Sequence, residues 1–360
     1  KPVMTLILGN DDVEAVLTMP DCIAVMEDTY RELAKGAALS RTRSDSFCRT
    51  ARSDALYSLK SMDGVAPKLG VGAVRINSDI ITWPVENGQE RRVKVPAAPQ
   101  GRYVGLVLLF STENGEPLAI FPDGVAQRMR VGAANGLGIK YLARENARVV
   151  GLLGSGWQAG AQVMAVCAVR NIDVVRCFSP NAPNREAFAR EWSSKLDVEV
   201  IAVDSPEAAF AGADIAMCAT NSIDNVFFHR WLKPGLHVSA VKRPELEVAV
   251  MKACDMLVIH NNVGSPTHLF TKGVAIPEKA ENKGWMLAAE IGFDTLPTLP
   301  QLITGEVKGR TSDDQMTCFL NNLGLGLQFA AVGSVVYRNA KERGLGREFP
   351  TDWFTQTVHP

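Results

Sequence analysis

Residues 149–159 of this chain, Val149-Val150-Gly151-Leu152-Leu153-Gly154-Ser155-Gly156-Trp157-Gln158-Ala159, decide its fold. They join an apolar strand to a G-x-G-x-x-A turn that opens a helix, which is the order found in a dinucleotide-binding unit. Gly154 permits the tight turn, Gly156 lets a pyrophosphate approach the backbone, and small Ala159 lets helix and strand pack closely. The N–H groups at the start of the helix then face the anion. The sequence therefore predicts that residues 154–159 bind a dinucleotide.

Apolar strands alternate with helical segments on both sides of this turn. The predicted strands are Val149–Leu153, Val174–Phe178, Val198–Val203, Ile215–Ala219, His237–Val241 and Met256–His260. This alternation predicts an α/β fold with a doubly wound parallel sheet. Upstream, a helical segment at 20–36 and short β-like runs at 69–122 indicate a separate α+β lobe. Because 360 residues exceed what one hydrophobic core usually organises, we expect two domains.

Charge and composition favour a small molecule as partner. The chain has 38 Lys and Arg against 39 Asp and Glu and no long run of one sign, which argues against nucleic acid and anionic membranes. No stretch approaches the roughly 20 apolar residues of a membrane span, and the first residues do not form a signal-peptide pattern. The seven cysteines are scattered without a C-x-x-C pair, which fits reduced thiols in the cytoplasm.

The end of the second strand of the unit indicates which nicotinamide cofactor is bound. An NAD enzyme places an Asp or Glu there against the ribose hydroxyls, but residues 178–181 read Phe-Ser-Pro-Asn. Ser179 and Asn181, with Arg185 one turn later, are instead suited to holding a 2′-phosphate through charge-assisted hydrogen bonds. We therefore expect a preference for NADP(H), with NAD(H) possible. Arg185 equally fits a solvated charge on a helix.

Two further residues follow a strand of the predicted sheet. Thr220 and Asn221 come at the end of the Ile215–Ala219 strand, where strand ends face the cofactor, so they could contact its ribose or nicotinamide. A helix-capping role explains them equally well. The five histidines form no H-x-x-x-H pair and no cluster with cysteine, so we expect no metal site.

Five segments resemble the ornithine cyclodeaminase/mu-crystallin family, and the likeness covers nearly the whole chain. Gly9–Val13, with the helix after it, resembles the family's opening, and Asn114–Ala119 resembles its T-G-x-P-L-A turn. Arg130–Ala133 stands where the family has R-T-x-A, and Leu153–Ala159 is close to its L-G-x-G-x-Q-A. Gly309–Phe319 resembles its G-R-x-S-x-x-Q-x-T-x-F stretch.

The resemblance implies a homodimer with two domains in each chain. Residues 1–128, rejoined by 316–360, would bind substrate and form the dimer, and residues 129–315 would form the Rossmann domain that holds the nucleotide. Members of the family interconvert α-amino acids and imino or keto acids by hydride transfer, as cyclodeaminases, ketimine reductases and alanine or arginine dehydrogenases. The expected substrate is therefore a small amino or imino acid.

Three arginines are the candidates for holding the carboxylate of such a substrate, because a planar guanidinium binds a carboxylate through two parallel hydrogen bonds. Arg43 resembles the family's carboxylate-binding arginine, with Arg41 as the alternative, and Arg130 is the second candidate. Arg75 stands where the family usually has a lysine that polarises the imine or carbonyl. Surface or interface roles fit Arg43 and Arg130 as well.

Two lysines are candidates for the proton donor, because an arginine is too weak an acid for that role. Lys68 follows Pro67 slightly upstream of Arg75 and is the fallback general acid, although a solvated loop position explains it better. Lys242 stands in the stretch 239–246, Ser-Ala-Val-Lys-Arg-Pro-Glu-Leu, where cyclodeaminases carry an Asp in G-D-x-P-G-K-x-E-L. Lys242 could serve as the acid in imine reduction or form a salt bridge at a strand end.

The leading hypothesis is an NADP(H)-dependent imine or ketimine reductase, or in reverse an L-amino-acid dehydrogenase. Hydride would pass between the nicotinamide and the substrate α-carbon. One alternative is ornithine cyclodeaminase with recycled NAD, which the missing Asp disfavours. The other is an NADPH-carrying binding protein of the mu-crystallin type, which the changes of Lys to Arg and of Asp to Lys suggest.

Overall fold

A computed structural model describes residues 3–86, 89–90, 92–97, 101–222, 224–276 and 291–359. The described chain divides into two compact units. The first contains residues 3–127, 263–276 and 325–359, and the second contains 128–262 and 291–324. Residues 263–276, which the expected domain limits assign to the Rossmann domain, lie in the first unit. Parts of the 86–100 stretch and Trp285 lie outside the described residues.

The first unit is built on a mixed sheet. Its strands are β1 (Met4–Ile7), β2 (Leu39–Ser40), β3 (Ser44–Arg49), β4 (Ala55–Ala66), β5 (Val71–Thr82), β8 (Val93–Val95), β9 (Val104–Ser111), β10 (Pro117–Pro122), β17 (Thr267–Phe270) and β19 (Arg347–Pro350). Its main order is β17-β3-β4-β5-β9-β10-β1-β19, with β2 beside β4 and β8 beside β5. A separate hairpin joins β6 (Val85–Glu86) to β7 (Gln89–Glu90).

Helices cover one face of this sheet, which we call the inner face. They are α1 (Asn10–Val16), α2 (Met19–Ala34) and α9 (Gly326–Arg343). Alternate residues of β4, among them Met62, are buried on this face. Gly64 allows α9 to lie directly on β4, because a Cβ at Gly64 would overlap the backbone of Leu327. The two-residue period of the strands thus separates an inner face from an outer one.

The second unit contains the predicted doubly wound sheet, which is confirmed. Its seven strands in the described chain are all parallel, in the order β13-β12-β11-β14-β15-β18-β16. They are β11 (Val149–Leu153), β12 (Val174–Phe178), β13 (Glu199–Ala202), β14 (Ile215–Cys218), β15 (His237–Ala240), β16 (Met256–Ile259) and β18 (Thr317–Leu320). Strand order reverses between β11 and β14, and ligands of such sheets bind beyond the carboxyl ends at this point.

The helices of the second unit connect these strands. They are α3 (Gly124–Leu142), which begins at the end of the first unit, α4 (Trp157–Val169), α5 (Ala182–Leu196), α6 (Pro206–Phe210), α7 (Val248–Ala253) and α8 (Leu299–Thr304). Strand β18 was not predicted, because polar Thr317 begins it and it inserts out of chain order between β15 and β16.

Arg310 explains why the segment Gly309–Phe319 resembles the family's sequence. Arg310 donates to the backbone carbonyls of Leu142, Gln315 and Gly235 and to the hydroxyl of Thr317. One guanidinium therefore fixes the approach to β18 against the end of α3. Its several neutral acceptors explain why an arginine with five N–H donors occupies this position.

Candidate functional site

The glycine turn after β11 is tight at one glycine and open at the other. Gly154 has φ of 117°, its N–H donates to the carbonyl of Phe178 over 2.9 Å, and a Cβ there would overlap the carbonyl oxygen of Ala219. Gly156 is extended, and a Cβ there would meet no atom within 4 Å. The turn therefore fits a dinucleotide, because it leaves room for a pyrophosphate against the backbone at Gly156.

Close packing behind the turn depends on Gly160 as well as on Ala159. Ala159 is fully buried as the first turn of α4 passes the sheet. A Cβ at Gly160 would overlap the ring of Trp192 on α5. Gly160 was missed because the G-x-G-x-x-A pattern ends one residue earlier. The contact sets how closely α4 and α5 approach.

A cation lies beside the turn. Trp157, the first residue of α4, is 58% exposed, and the guanidinium carbon of Arg128 lies 3.7 Å from the centre of its ring. Arg128 itself is buried on α3. Guanidinium groups stack favourably on indole faces. Arg128 was missed because it lies 29 positions before Trp157 in a helix with no motif at that residue.

The residues expected at a 2′-phosphate cluster next to the turn. The hydroxyl oxygens of Ser155 and Ser179 are 2.8 Å apart, and the side chain of Asn181 caps α5 by accepting a backbone N–H. Arg185 donates to the carbonyl of Ser179 over 3.1 Å and lies 2.7 Å from a carboxylate oxygen of Asp204. Arg185 is thus largely buried and held in place, whereas Asp204 is almost fully exposed.

A buried carboxylate that the sequence analysis missed braces the loops after β14 and β15. One oxygen of Glu245 accepts both the backbone N–H and the hydroxyl of Thr220, at 2.6 and 2.7 Å. The other oxygen accepts the backbone N–H of Lys242 over 2.9 Å. Burial raises the pKa of Glu245, and these hydrogen bonds oppose the rise. Thr220 is therefore engaged with Glu245, and Asn221 beside it is exposed.

Two of the candidate arginines lie in the first unit and are held by carboxylates. Arg43 contacts Asp45 at 2.8 Å. Arg75, on β5, donates to Asp123 over 2.7 Å and lies 5.1 Å from the ring of Phe329. The ring belongs to α9, so Arg75 points to the inner face. These contacts fix the direction of each guanidinium. A guanidinium that is already held in place loses little side-chain entropy when it binds a carboxylate.

The other sequence candidates occupy different surroundings. Arg130 is buried on α3 in the second unit. Lys68 lies in a short 3₁₀ turn, Pro67–Leu69, with its side chain 64% exposed and its amine 3.8 Å from Glu32. Lys242 is exposed at the start of another 3₁₀ turn in the second unit. Their roles stay predictions.

A second buried set of charges on the inner face was also missed. Lys60 on β4 lies 3.3 Å from a carboxylate oxygen of Asp79 on β5, and Lys94 on β8 lies 3.0 Å from the other oxygen. In β4, residues 58, 60 and 62 are buried and residues 59 and 61 are exposed, so Lys60 points inward. Lysine is so rarely buried that sequence rules assign it to the surface.

The described residues contain neither a membrane-spanning helix nor a cluster of metal-ligand side chains. Among the described helices, none is long and apolar enough to cross a membrane. Within residues 3–276 and 291–359, apart from the short gaps named above, no three His, Cys, Asp or Glu side chains converge as metal ligands would.

Comparisons with known proteins agree on one family. A Δ1-pyrroline-2-carboxylate reductase of Bacillus cereus is 31% identical over 67% of this chain and 73% of its own length. The structure of the Thermococcus litoralis Δ1-pyrroline-2-carboxylate reductase, in complex with NADH and L-proline, is 26% identical and superposes with a TM-score of 0.76 over 95% of this chain and 99% of its own.

A third similar protein is an archaeal alanine dehydrogenase, whose structure is a dimer with bound NAD. It is 25% identical, with a TM-score of 0.74 over 96% of this chain and 99% of its own. The family model described as ornithine cyclodeaminase/mu-crystallin family matches residues 3–344. With the glycine turn and the reversal of strand order, these likenesses show that the chain is an enzyme of the ornithine cyclodeaminase/mu-crystallin family.

Proposed function

We propose that the chain is an NADP(H)-dependent imine or ketimine reductase, which in reverse acts as an L-amino-acid dehydrogenase. The observation that carries the proposal is the open backbone at Gly156, beyond the carboxyl end of β11 where strand order reverses. A similar structure of this family holds NADH and L-proline. The nicotinamide would supply the hydride that reduces a C=N bond at an α-carbon.

The residues of this chain would position the substrate by its carboxylate. Arg43, Arg75 and Arg130 are the proposed carboxylate ligands, each able to donate two parallel hydrogen bonds. Lys68 and Lys242 are the sequence candidates for supplying a proton. Fixing the reacting groups in orientation is a large part of such catalysis, because it replaces the entropy loss of a bimolecular encounter.

Residues 154–159, Ser179, Asn181 and Arg185 are the proposed cofactor ligands, with Thr220 and Asn221 nearer the ribose or nicotinamide. The 2′-phosphate preference is supported by the absence of an acid in residues 178–181 and by Arg185, which touches the carbonyl of Ser179. Asp204 already neutralises part of the charge on Arg185. The discrimination should therefore be moderate.

We expect NADPH to bind about tenfold more tightly than NADH, the lower end of what a charge-assisted hydrogen bond supplies. Arg185→Met should weaken NADPH binding about tenfold and leave NADH within about twofold. Arg190→Met, an exposed arginine on the same helix, is the matched control and should change neither. Fluorescence titration with both nucleotides measures these affinities, and tighter binding of NADH by the unmodified protein contradicts the preference.

The reaction is tested by following NADPH absorbance with 2-oxo acids plus ammonia or methylamine and with cyclic imines, with NADH in parallel. Turnover on any of these substrates supports the reductase. Saturable NADPH binding without turnover would instead favour a binding protein. Release of ammonia from ornithine without net change in NAD would favour the cyclodeaminase, which the family likeness allows and Lys242 in place of the Asp disfavours.

We also propose a homodimer formed through the outer face of the first unit's sheet. The pairing places Ile76 opposite Leu106 and Val74 opposite Leu108 on this face. Leu106 and Leu59 are exposed there. Several apolar side chains on one open sheet face are the kind of surface that a second sheet covers, and the similar alanine dehydrogenase structure is a dimer.

Light scattering should give twice the mass of one chain, and Leu106→Glu should give a monomer, because it buries a charge at the proposed interface. Ile201→Glu is the control, since Ile201 is an exposed apolar residue on β13 of the second unit. A dimer that Leu106→Glu leaves intact places the interface elsewhere. For location, the seven free cysteines are consistent with the proposed reducing cytoplasm.

A further inference from the structure

Lys60 is a buried lysine that none of the roles above uses. It is 7% exposed and is the one buried lysine among the residues that the structure describes. Burying a charged pair gains little stability, and an apolar pair of similar volume often serves a fold equally well. Its presence on the inner face therefore calls for a reason other than packing.

Strand register places Lys60 beside a proposed substrate ligand. Asp45 is directly opposite Lys60 on β3, and Asn77 is directly opposite it on β5. Arg75 is the next inward residue of β5, which makes it a diagonal neighbour of Lys60, roughly 7–8 Å away between backbones and within reach of long side chains. The Lys60 amine contacts Asp79, the diagonal neighbour on the other side of Asn77, so meeting a substrate held by Arg75 requires the amine to turn from Asp79 toward Arg75.

Polar atoms around Lys60 are incompletely satisfied. In the described part of the chain, Asp45 Oδ1 and Ser58 Oγ have no hydrogen-bond partner, although both are buried. Both belong to the inner face, on either side of the Lys60 position. Buried polar atoms without partners are rare in folded proteins and indicate water or a ligand. The surroundings of Lys60 are therefore suited to receiving a polar molecule.

The charges facing Lys60 come from three strands and the chain before β8. Burial, together with the cations Arg92 and Lys94, lowers the pKa of Lys60 to about 8, although Asp79 and Asp45 oppose the shift. Asp79 also joins Lys60 to Lys94, whose side chain is 42% exposed. A buried amine that exchanges its proton near neutral pH, connected to solvent by a carboxylate and a second amine, has the properties of an acid catalyst.

We propose that Lys60 is the residue that exchanges the proton with the substrate nitrogen. The inference rests on the proposed imine reduction. An Nζ–H bond of Lys60 breaks and an N–H bond forms on the imine nitrogen, which gives an iminium ion. The α-carbon then receives the hydride from the nicotinamide, and the π electrons of the C=N bond become the lone pair of the amine. Lys60 regains its proton from solvent through Asp79 and Lys94.

Arg75 cannot take this role, because a guanidinium does not release its proton in proteins. The side chain of Lys68 is 64% exposed and lies 3.8 Å from Glu32, so Lys68 is not enclosed in the sheet as Lys60 is. Proton donation is therefore assigned to Lys60 and not to Lys68, and Arg75 stays the proposed ligand of the substrate carboxylate.

The test compares two substrates on Lys60→Met and Lys60→Arg. One is the imine that the substrate panel identifies, and the other is its N-methylated iminium form, which is permanently charged and needs no proton. Both variants should reduce the imine at least about 100-fold more slowly than the unmodified enzyme, the lower range for general acid catalysis. Both variants should reduce the iminium at a rate within about threefold of that of the unmodified enzyme, because hydride transfer to the iminium does not require prior protonation. Lys35→Met, an exposed lysine of the first unit, is the control for the substitution.

A parallel loss on both substrates would overturn the proposal, because it is the mark of a structural role, and so would no loss on either. If the unmodified enzyme reduces both compounds and the Lys60 variants reduce them at the same rates, the chain is still a reductase but Lys60 is not its proton donor. If neither compound is reduced by the unmodified enzyme, the proposed function fails and the role of Lys60 with it. Lys60→Arg keeps a cation beside Asp79, so it guards against a loss caused only by misfolding.

An independent readout needs neither substrate nor cofactor. Because the pKa of Lys60 is about 8 in the folded protein and the ordinary pKa of lysine is 10.5, the unfolded chain binds more protons between these values. The free energy of unfolding should therefore rise with pH from about 8 to 10.5. Lys60→Met should remove this rise, and urea unfolding across that range detects it. An identical pH dependence in the variant contradicts the lowered pKa.

Discussion

Gly154→Ala should lower the free energy of unfolding by roughly 2–4 kcal/mol, the range of a substitution that combines backbone strain with steric overlap. Gly154 has φ of 117°, a conformation that residues with a Cβ rarely adopt, and the new methyl group would overlap the carbonyl oxygen of Ala219 at the end of β14. The turn after β11 must open to accommodate it. Urea unfolding of the protein without cofactor measures the loss.

Gly156→Ala is the matched variant, with the opposite pattern of effects. Its backbone is extended and a methyl group there meets no atom within 4 Å, so stability should change by less than about 1 kcal/mol. Cofactor affinity should fall by at least about tenfold, because the methyl group occupies the path of the pyrophosphate. Unchanged NADPH and NADH affinities in Gly156→Ala would show that the dinucleotide binds elsewhere.

Glu245→Ala should lower the free energy of unfolding by about 3 kcal/mol, since hydrogen bonds to a charged group contribute about 1.5–3 kcal/mol each and their donors lose their partner. The donors are the backbone N–H and hydroxyl of Thr220 and the backbone N–H of Lys242. Both loops lie beyond the carboxyl ends of neighbouring strands, β14 and β15, so cofactor affinity should fall as well. Thermal unfolding and NADPH titration measure the two effects.

Glu207→Ala is the control for this substitution. Glu207 is an exposed carboxylate that lies 3.6 Å from exposed Arg230, and such pairs contribute little to stability. A Glu245→Ala protein as stable as Glu207→Ala would mean that the loops after β14 and β15 do not depend on the buried carboxylate.

The sequence predicted the second unit well because its elements are locally encoded. Val149–Leu153 and Val174–Phe178 are strands at the predicted residues, since apolar runs bounded by turns are typical of buried parallel strands. Strand β18 was missed because its position depends on Arg310, which holds it from outside the strand. The β-like runs predicted within 69–122 include one long strand, β5, because polar Asn77 and Ser78 pair with β4 and do not interrupt it.

The site was predictable where a motif carried it and not where it depended on distant contacts. Residues 154–159 could be predicted from the glycine pattern. Glu245, Arg128 and Lys60 instead contact partners that lie 25, 29 and 19 positions away in the chain, respectively. Asp204 likewise reaches Arg185 from the loop after β13. A sequence shows the charge of such residues but not the register that brings a partner to them.

The most direct measurement is the fate of the hydride. NADPH deuterated at C4 is incubated with the enzyme and the imine acid that supports turnover, and the amino-acid product is examined by mass spectrometry and NMR. The account predicts one deuterium on the α-carbon of the product, transferred from one face of the nicotinamide. A product without deuterium at the α-carbon, or ammonia released from ornithine with the label retained on the cofactor, would contradict it.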